Sequence, residues 1–129
     1  MPTTTEDLWP SDIGVSGPVS PVSILRKQAT LLGTKTRNLV EGKVELTQDN
    51  GKNFQYVFYL LAPALKNYRY RLFSLLYPVE FYPITINFEA KNKSFTAKDQ
   101  DDYLTKLKVV FADEKTTSVI KALISQSQE

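Results

Sequence analysis

Aromatic residues are concentrated in one stretch of this chain. Of its seven Phe, seven Tyr and one Trp, eleven lie between Phe54 and Phe88, in runs such as Phe54-Gln55-Tyr56-Val57-Phe58. Because successive side chains of a strand point to opposite faces, this alternation is typical of β-strands and does not match the spacing of a helix. The stretch therefore predicts an antiparallel sheet rich in aromatic residues, in which both faces need to be buried against other structure.

The first 20 residues are predicted to form a flexible or extended arm, followed by a single domain over residues 21–129. The arm has three acidic residues and no basic one, and it is rich in Pro, Gly, Ser and Thr. Its Trp9 lies beside Leu8, and a large apolar side chain of this kind gains by docking in a pocket. We expect Trp9 to pack on the domain's own core, with a partner subunit as the alternative.

A helix is expected directly after the arm. Ser20 followed by Pro21 is typical of a helix start, because serine caps a free backbone N–H and proline fits the first turn. Apolar residues then recur at intervals of three and four up to Leu32. Gly33 favours the left-handed conformation that ends helices, so the predicted helix covers about residues 21–32.

Four strands are expected next. The first follows the alternation over Val40–Thr47, and Asn50-Gly51 is typical of a hairpin turn into the second. The other three strands are expected at about 53–62, 68–76 and 79–88. Pro83 cannot donate a hydrogen bond to a neighbouring strand, so the fourth strand is placed at an edge or kinked. The polar stretch 89–98 predicts a loop, with Phe95 folded back onto the domain.

The last third predicts two helices. An acidic cluster, Asp99–Asp102, precedes an apolar stripe over Tyr103–Phe111, and acidic residues stabilise a helix N-terminus. Asp113 is typical of the cap of a second helix. The order predicts an α+β fold: a two-layer sandwich with an N-terminal helix, a four-stranded antiparallel meander and two C-terminal helices.

Several kinds of chemistry are not expected. The chain has no Cys and no His, which removes disulfides, the usual zinc ligands and Ser-His or Cys-His catalysis. No Gly-rich phosphate loop occurs, and Asp99–Asp102 lacks the ligand spacing of a calcium loop. No apolar run approaches the roughly 20 residues that cross a bilayer. We predict a cytoplasmic protein with no membrane contact, no enzymatic activity, no cofactor and no metal.

The strand that follows Lys66 alternates basic and aromatic residues. Arg69 and Arg71 should point to one face, and Tyr68 and Tyr70 to the other. Arginine pairs with phosphate and tyrosine stacks on bases, as in sheets that bind single-stranded nucleic acid. We favour a structural interpretation, in which the tyrosines join the core and the arginines are either solvated or paired with carboxylates of neighbouring strands. The carboxylates considered are Glu41, Glu45 and Glu80.

The main functional prediction is a non-catalytic module that binds a protein partner or a second copy of itself. Its basis is that both faces of the second strand are apolar, whereas the helices cover one. The expected binding residues are Trp9, Tyr59, Lys66, Tyr68, Arg69, Tyr70 and Arg71. One alternative is nucleic-acid binding through Lys66, Arg69 and Arg71. The other is a carrier of a small apolar ligand, with a cavity between the sheet and the first helix.

Overall fold

The computed structural model describes residues 6–15, 17–49 and 51–129. Its elements are α1 (Pro21–Lys35), β1 (Glu41–Asp49), β2 (Asn53–Ala62), β3 (Tyr68–Pro78), β4 (Ile84–Phe88), β5 (Lys93–Ala97), α2 (Gln100–Ala112) and α3 (Glu114–Ser127). The strands form one antiparallel sheet in the order β1-β2-β3-β4-β5. The α+β class, the N-terminal helix, the antiparallel meander and the two C-terminal helices are confirmed. The sheet has five strands instead of the predicted four.

The additional strand is β5, which lies where a loop was predicted over residues 89–98. A short 3-10 turn at Glu89–Lys91 follows β4. Asn92 then adopts a left-handed conformation with φ of 54° and reverses the chain into β5, which pairs with β4. Within β5, Phe95 is half-buried and Ala97 is buried. An edge strand with two inward apolar residues has too short an alternation to stand out in a polar segment.

The fourth strand is shorter than expected and lies inside the sheet. It begins after Pro83, and it is paired with β3 on one side and β5 on the other. The predicted edge position is therefore wrong. Because Pro83 precedes the strand, its missing N–H removes no hydrogen bond from the sheet. The residues before it form an irregular connection in which Phe81 has φ of 81°.

Helix α1 does not end at Gly33, which is a buried residue within it. The chain leaves the helix where Arg37 and Asn38 adopt positive φ values of 54° and 63°. The hydroxyl of Thr36 donates to the carbonyl oxygen of Val40 at 2.7 Å. This bond fixes the connection into β1, so the side chain of Thr36 and the two left-handed residues end the helix in place of a glycine.

The N-terminal caps follow from local sequence. The side chains of Ser20, Asp99 and Asp113 each accept a hydrogen bond from a backbone N–H two or three residues further on. The cap predicted at Asp113 is confirmed, as is the helix start at Ser20. Asn50, part of the predicted hairpin turn, lies outside the described residues, but β1 and β2 are antiparallel neighbours as expected.

All three helices pack on one face of the sheet, which we call the inner face. Phe58 and Leu60 of β2 point to this face, and Val57 and Tyr59 to the opposite, outer face. A β-bulge alters the alternation on β3, because Phe58 pairs with Phe73 whereas Tyr59 pairs with Arg71. The extra residue, Leu72, lines the same cavity as Phe58. The bulge therefore directs two consecutive large side chains of β3 towards the helices.

Candidate functional site

The arm carries exposed apolar side chains. Within residues 6–15 and 17–19 no helix or strand is formed, and Trp9 is 74% exposed. Leu8 and Ile13 are also exposed. The expectation that Trp9 packs on the domain's own core is therefore wrong, because the described arm does not fold back onto it. Docking on a partner stays a prediction.

The predicted arginines lie on the outer face, and both are paired. Arg69 forms a salt bridge with Glu45, and its guanidinium lies 4.1 Å from the centre of the Tyr59 ring. Nε of Arg71 lies 2.6 Å from a carboxylate oxygen of Glu89. The predicted pairing with Glu45 is confirmed, while the partner of Arg71 was not among the carboxylates considered. A phosphate would compete with these carboxylates for each guanidinium.

The other predicted binding residues lie elsewhere. Tyr70 packs against the core on the inner side of the sheet, as expected. The predicted core position of Tyr68 is wrong, because Tyr68 is the first residue of β3 and is 47% exposed. Lys66 lies in the turn before β3 and has φ of 58°. The structure thus brings together Tyr59, Arg69 and, on the same face, Arg71. It does not bring the seven predicted residues into one site.

A large apolar cavity lies between the inner face and the three helices. Its volume is about 750 Å³, within the range of about 300–1,000 Å³ that is usual for small-molecule sites. We call it the groove. Phe58, Leu60 and Leu72 form its floor, and its apolar wall residues are Ile24, Leu31, Leu32, Leu104, Leu107, Phe111, Ile120 and Ile124. The aliphatic and aromatic lining suits an apolar ligand.

Close contacts fix the positions of two helices that border the groove. The hydroxyl of Tyr103 in α2 donates to the carbonyl oxygen of Pro21 at 2.8 Å, which joins the N-terminal ends of α1 and α2. Helix α1 also packs closely on β1, since a Cβ atom at Gly42 would lie only 2.6 Å from Ala29. The residues of α1 and α2 that line the groove begin at Ile24 and Leu104, which lie C-terminal to Pro21 and Tyr103 respectively.

The groove has few polar groups, and some of them already form hydrogen bonds within the protein. Thr116 is buried and its hydroxyl donates to the carbonyl oxygen of Val110 at 2.7 Å. Thr36 donates to Val40 in the same manner. Among the described residues, the charged groups lining the groove are Lys35, Lys108 and Lys121, and no carboxylate does so. The groove therefore combines apolar walls with positive charge.

The apolar stripes of the helices were predicted from the sequence, but the groove between them was not. The predicted alternative of a ligand carrier placed a cavity between the sheet and the first helix, but it specified no lining residues. Two exposed side chains mark the groove in the folded chain. Leu31 and Leu104 are 48% and 42% exposed, although each belongs to the apolar stripe of its helix. An apolar stripe that remains exposed in the folded chain indicates a surface that the chain's own core does not fill.

Comparisons of the chain with models of protein families, with curated proteins and with solved structures find no match. In the described part of the chain, no helix has the length and apolar character needed to span a membrane.

Proposed function

We propose that this protein is a non-catalytic binding protein whose groove holds a small apolar molecule. The observation that carries the proposal is the groove itself, with its volume of about 750 Å³ and its three-sided apolar lining. The groove is open to solvent, and its apolar side chains Leu31 and Leu104 are exposed. Contiguous apolar surface that stays exposed marks binding sites. A ligand that covers these side chains would remove that surface from water.

The size of the groove favours a small molecule over a helix of another protein. A three-turn helix about 10 Å wide and 16 Å long occupies about 1,200 Å³, more than the volume of about 750 Å³ found here. Such a helix would be seated only in part. A single flexible hydrocarbon chain, in contrast, can lie between Leu31 of α1 and Leu104 of α2 and cover both exposed side chains.

Fluorescence titration with Nile red, an uncharged apolar dye, tests this function. The wild-type chain should bind the dye saturably, and Ile120→Trp should weaken binding at least about tenfold by filling the groove. Leu61→Trp, which adds the same side chain on the outer face, is the matched control and should bind as wild type. Thermal unfolding of both variants verifies that they fold. Equal dye binding by wild type and a folded Ile120→Trp protein would refute the function.

A second candidate function is association with a protein partner or a second copy through the arm and the outer face. It is favoured by the exposure of Leu8 and Trp9 in the arm. It is also favoured by the stacked pair of Arg69 and Tyr59 on a face that the described helices leave uncovered. Arginine and aromatic side chains are enriched at the energetically important positions of interfaces.

Nucleic-acid binding through Lys66, Arg69 and Arg71 ranks below both candidates. Its support is limited to the basic residues, and the two arginines already pair with Glu45 and Glu89. It predicts salt-sensitive binding of single-stranded oligonucleotides that is lost in the double variant Arg69→Ala/Arg71→Ala. Absence of binding at low salt would exclude it.

A further inference from the structure

We infer that the ligand of the groove is an anionic amphiphile, such as a long-chain carboxylic acid, whose acid group is bound by lysines at the rim. This inference rests on the proposed function, since it specifies the chemical class of the molecule in the same groove. Three lysines, one from each helix, line the groove: Lys35 of α1, Lys108 of α2 and Lys121 of α3. They line one cavity although they are far apart in sequence.

These three lysines are unpaired within the part of the chain that the structure describes. Lys91 forms a salt bridge with Asp113, and Lys106 forms one with Asp102. Among the described residues, no carboxylate lies within 4.0 Å of the amino groups of the three groove lysines. The positive charge at the groove is therefore available to a ligand.

The helix sequences explain this lack of partners. Side chains three and four positions apart are neighbours on a helix surface. Around Lys108 these positions hold Leu104, Thr105, Phe111 and Ala112. The corresponding positions around Lys35 and Lys121 likewise hold apolar or uncharged residues. Lys106, in contrast, has Asp102 four positions before it and pairs with it.

An anionic amphiphile satisfies both properties of the groove at once. Its hydrocarbon chain would cover the exposed part of the apolar lining, including Leu31 of α1 and Leu104 of α2. Its acid group would remain at the rim, where lysine stems lie along apolar surface and their ammonium groups reach the solvent. An uncharged apolar molecule would leave three like charges around the opening without a counter-ion. The lining thus favours the acid over the corresponding alcohol.

Calorimetric titration of the full chain with lauric acid and with dodecanol, below their aggregation concentrations, tests the inference. Wild type should bind the acid at least about fivefold more tightly than the alcohol. The expected ratio is modest, because each exposed ion pair contributes little to the binding free energy. The triple variant Lys35→Gln/Lys108→Gln/Lys121→Gln should remove this preference and leave the affinity for dodecanol unchanged. Added salt should weaken binding of the acid only.

The matched control is Lys27→Gln/Lys43→Gln/Lys93→Gln, which lowers the net charge equally at exposed lysines outside the groove. It should keep the wild-type preference for the acid. Equal affinity of wild type for acid and alcohol would overturn the inference while the proposed function stands. Loss of the preference in the control as well would overturn it, since net charge alone would then explain the effect. Failure to bind either compound would overturn both the inference and the proposed function.

Discussion

The hydroxyl of Tyr103 donates to the carbonyl oxygen of Pro21 at 2.8 Å, although 82 residues separate them in sequence. Tyr103 is fully buried, so this bond joins two helices in the interior, at the point from which the groove extends. A buried hydrogen bond of this kind contributes about 1 kcal/mol to folding, and loss of one partner leaves the other unsatisfied.

Replacement of Tyr103 by Phe should therefore lower the free energy of unfolding by about 1 kcal/mol, measured by urea denaturation. Tyr82→Phe is the matched control, because the Tyr82 hydroxyl is buried and, among the described residues, has no hydrogen-bond partner. This second change should leave stability unchanged or raise it. A loss in Tyr82→Phe equal to that in Tyr103→Phe would show that the hydrogen bond is not what Tyr103 supplies.

The buried tyrosines predict loss of stability at alkaline pH. Burial, together with the nearby Tyr56, raises the pKa of Tyr77 from 10.0 to about 12, and burial also raises the pKa of Tyr103. The native state thus retains these protons when the unfolded chain releases them. For Tyr77, the stability contribution is complete below pH 10.0 and is lost as the pH rises towards about 12.

Urea denaturation at a series of alkaline pH values measures this effect. Tyr77→Phe removes one of the titrating groups, so its free energy of unfolding should fall less steeply with pH than that of wild type. Lysines titrate in the same range, but they are common to both proteins and cancel in the comparison. Parallel pH dependence of the two proteins would contradict the role assigned to Tyr77.

Gly42 allows α1 to approach β1. A Cβ atom at this position would lie 2.6 Å from Cα and Cβ of Ala29 and 2.8 Å from Cζ of Phe58. Gly42→Ala should reduce the free energy of unfolding by about 1–3 kcal/mol, the usual cost of overpacking. Gly14→Ala, where no atom lies within 4 Å of the added Cβ, should change it by less than about 0.5 kcal/mol. Equal stabilities of the two variants would indicate that the helix can shift freely.

The second candidate function predicts that the arm controls self-association. Light scattering on the full chain should give twice the monomer mass of 14.7 kDa, and removal of residues 1–19, which keeps the Ser20 cap, should give a monomer. Trp9→Ala should act in the same direction, because Trp9 supplies the largest exposed apolar side chain of the described arm. A monomeric full chain would exclude self-association and leave a foreign partner as the remaining form of this candidate.

The features predicted correctly from sequence depend on neighbouring residues. The cap at Asp113 and the antiparallel pairing of β1 with β2 follow from a few adjacent positions. Local patterns of this kind also gave the correct fold class.

The features that were missed depend on distant parts of the chain. Arg71 pairs with Glu89 because the turn after β4 lies beside β3, a relationship that no local pattern contains. The groove depends on the distance between helices that share one sheet, and its lysines come from three segments. Sequence periodicity shows which face of each helix is apolar, but not how much of that face the other elements cover.

Methyl NMR spectroscopy during titration with lauric acid tests directly whether the groove binds a small apolar molecule. Binding in the groove should shift the methyl signals of Ile24, Leu107 and Ile120, which line it, at a common saturating concentration. The signals of Val57 and Leu61, on the outer face, should remain in place. Shifts confined to the outer face, or unchanged groove signals at saturating ligand, would contradict binding in the groove.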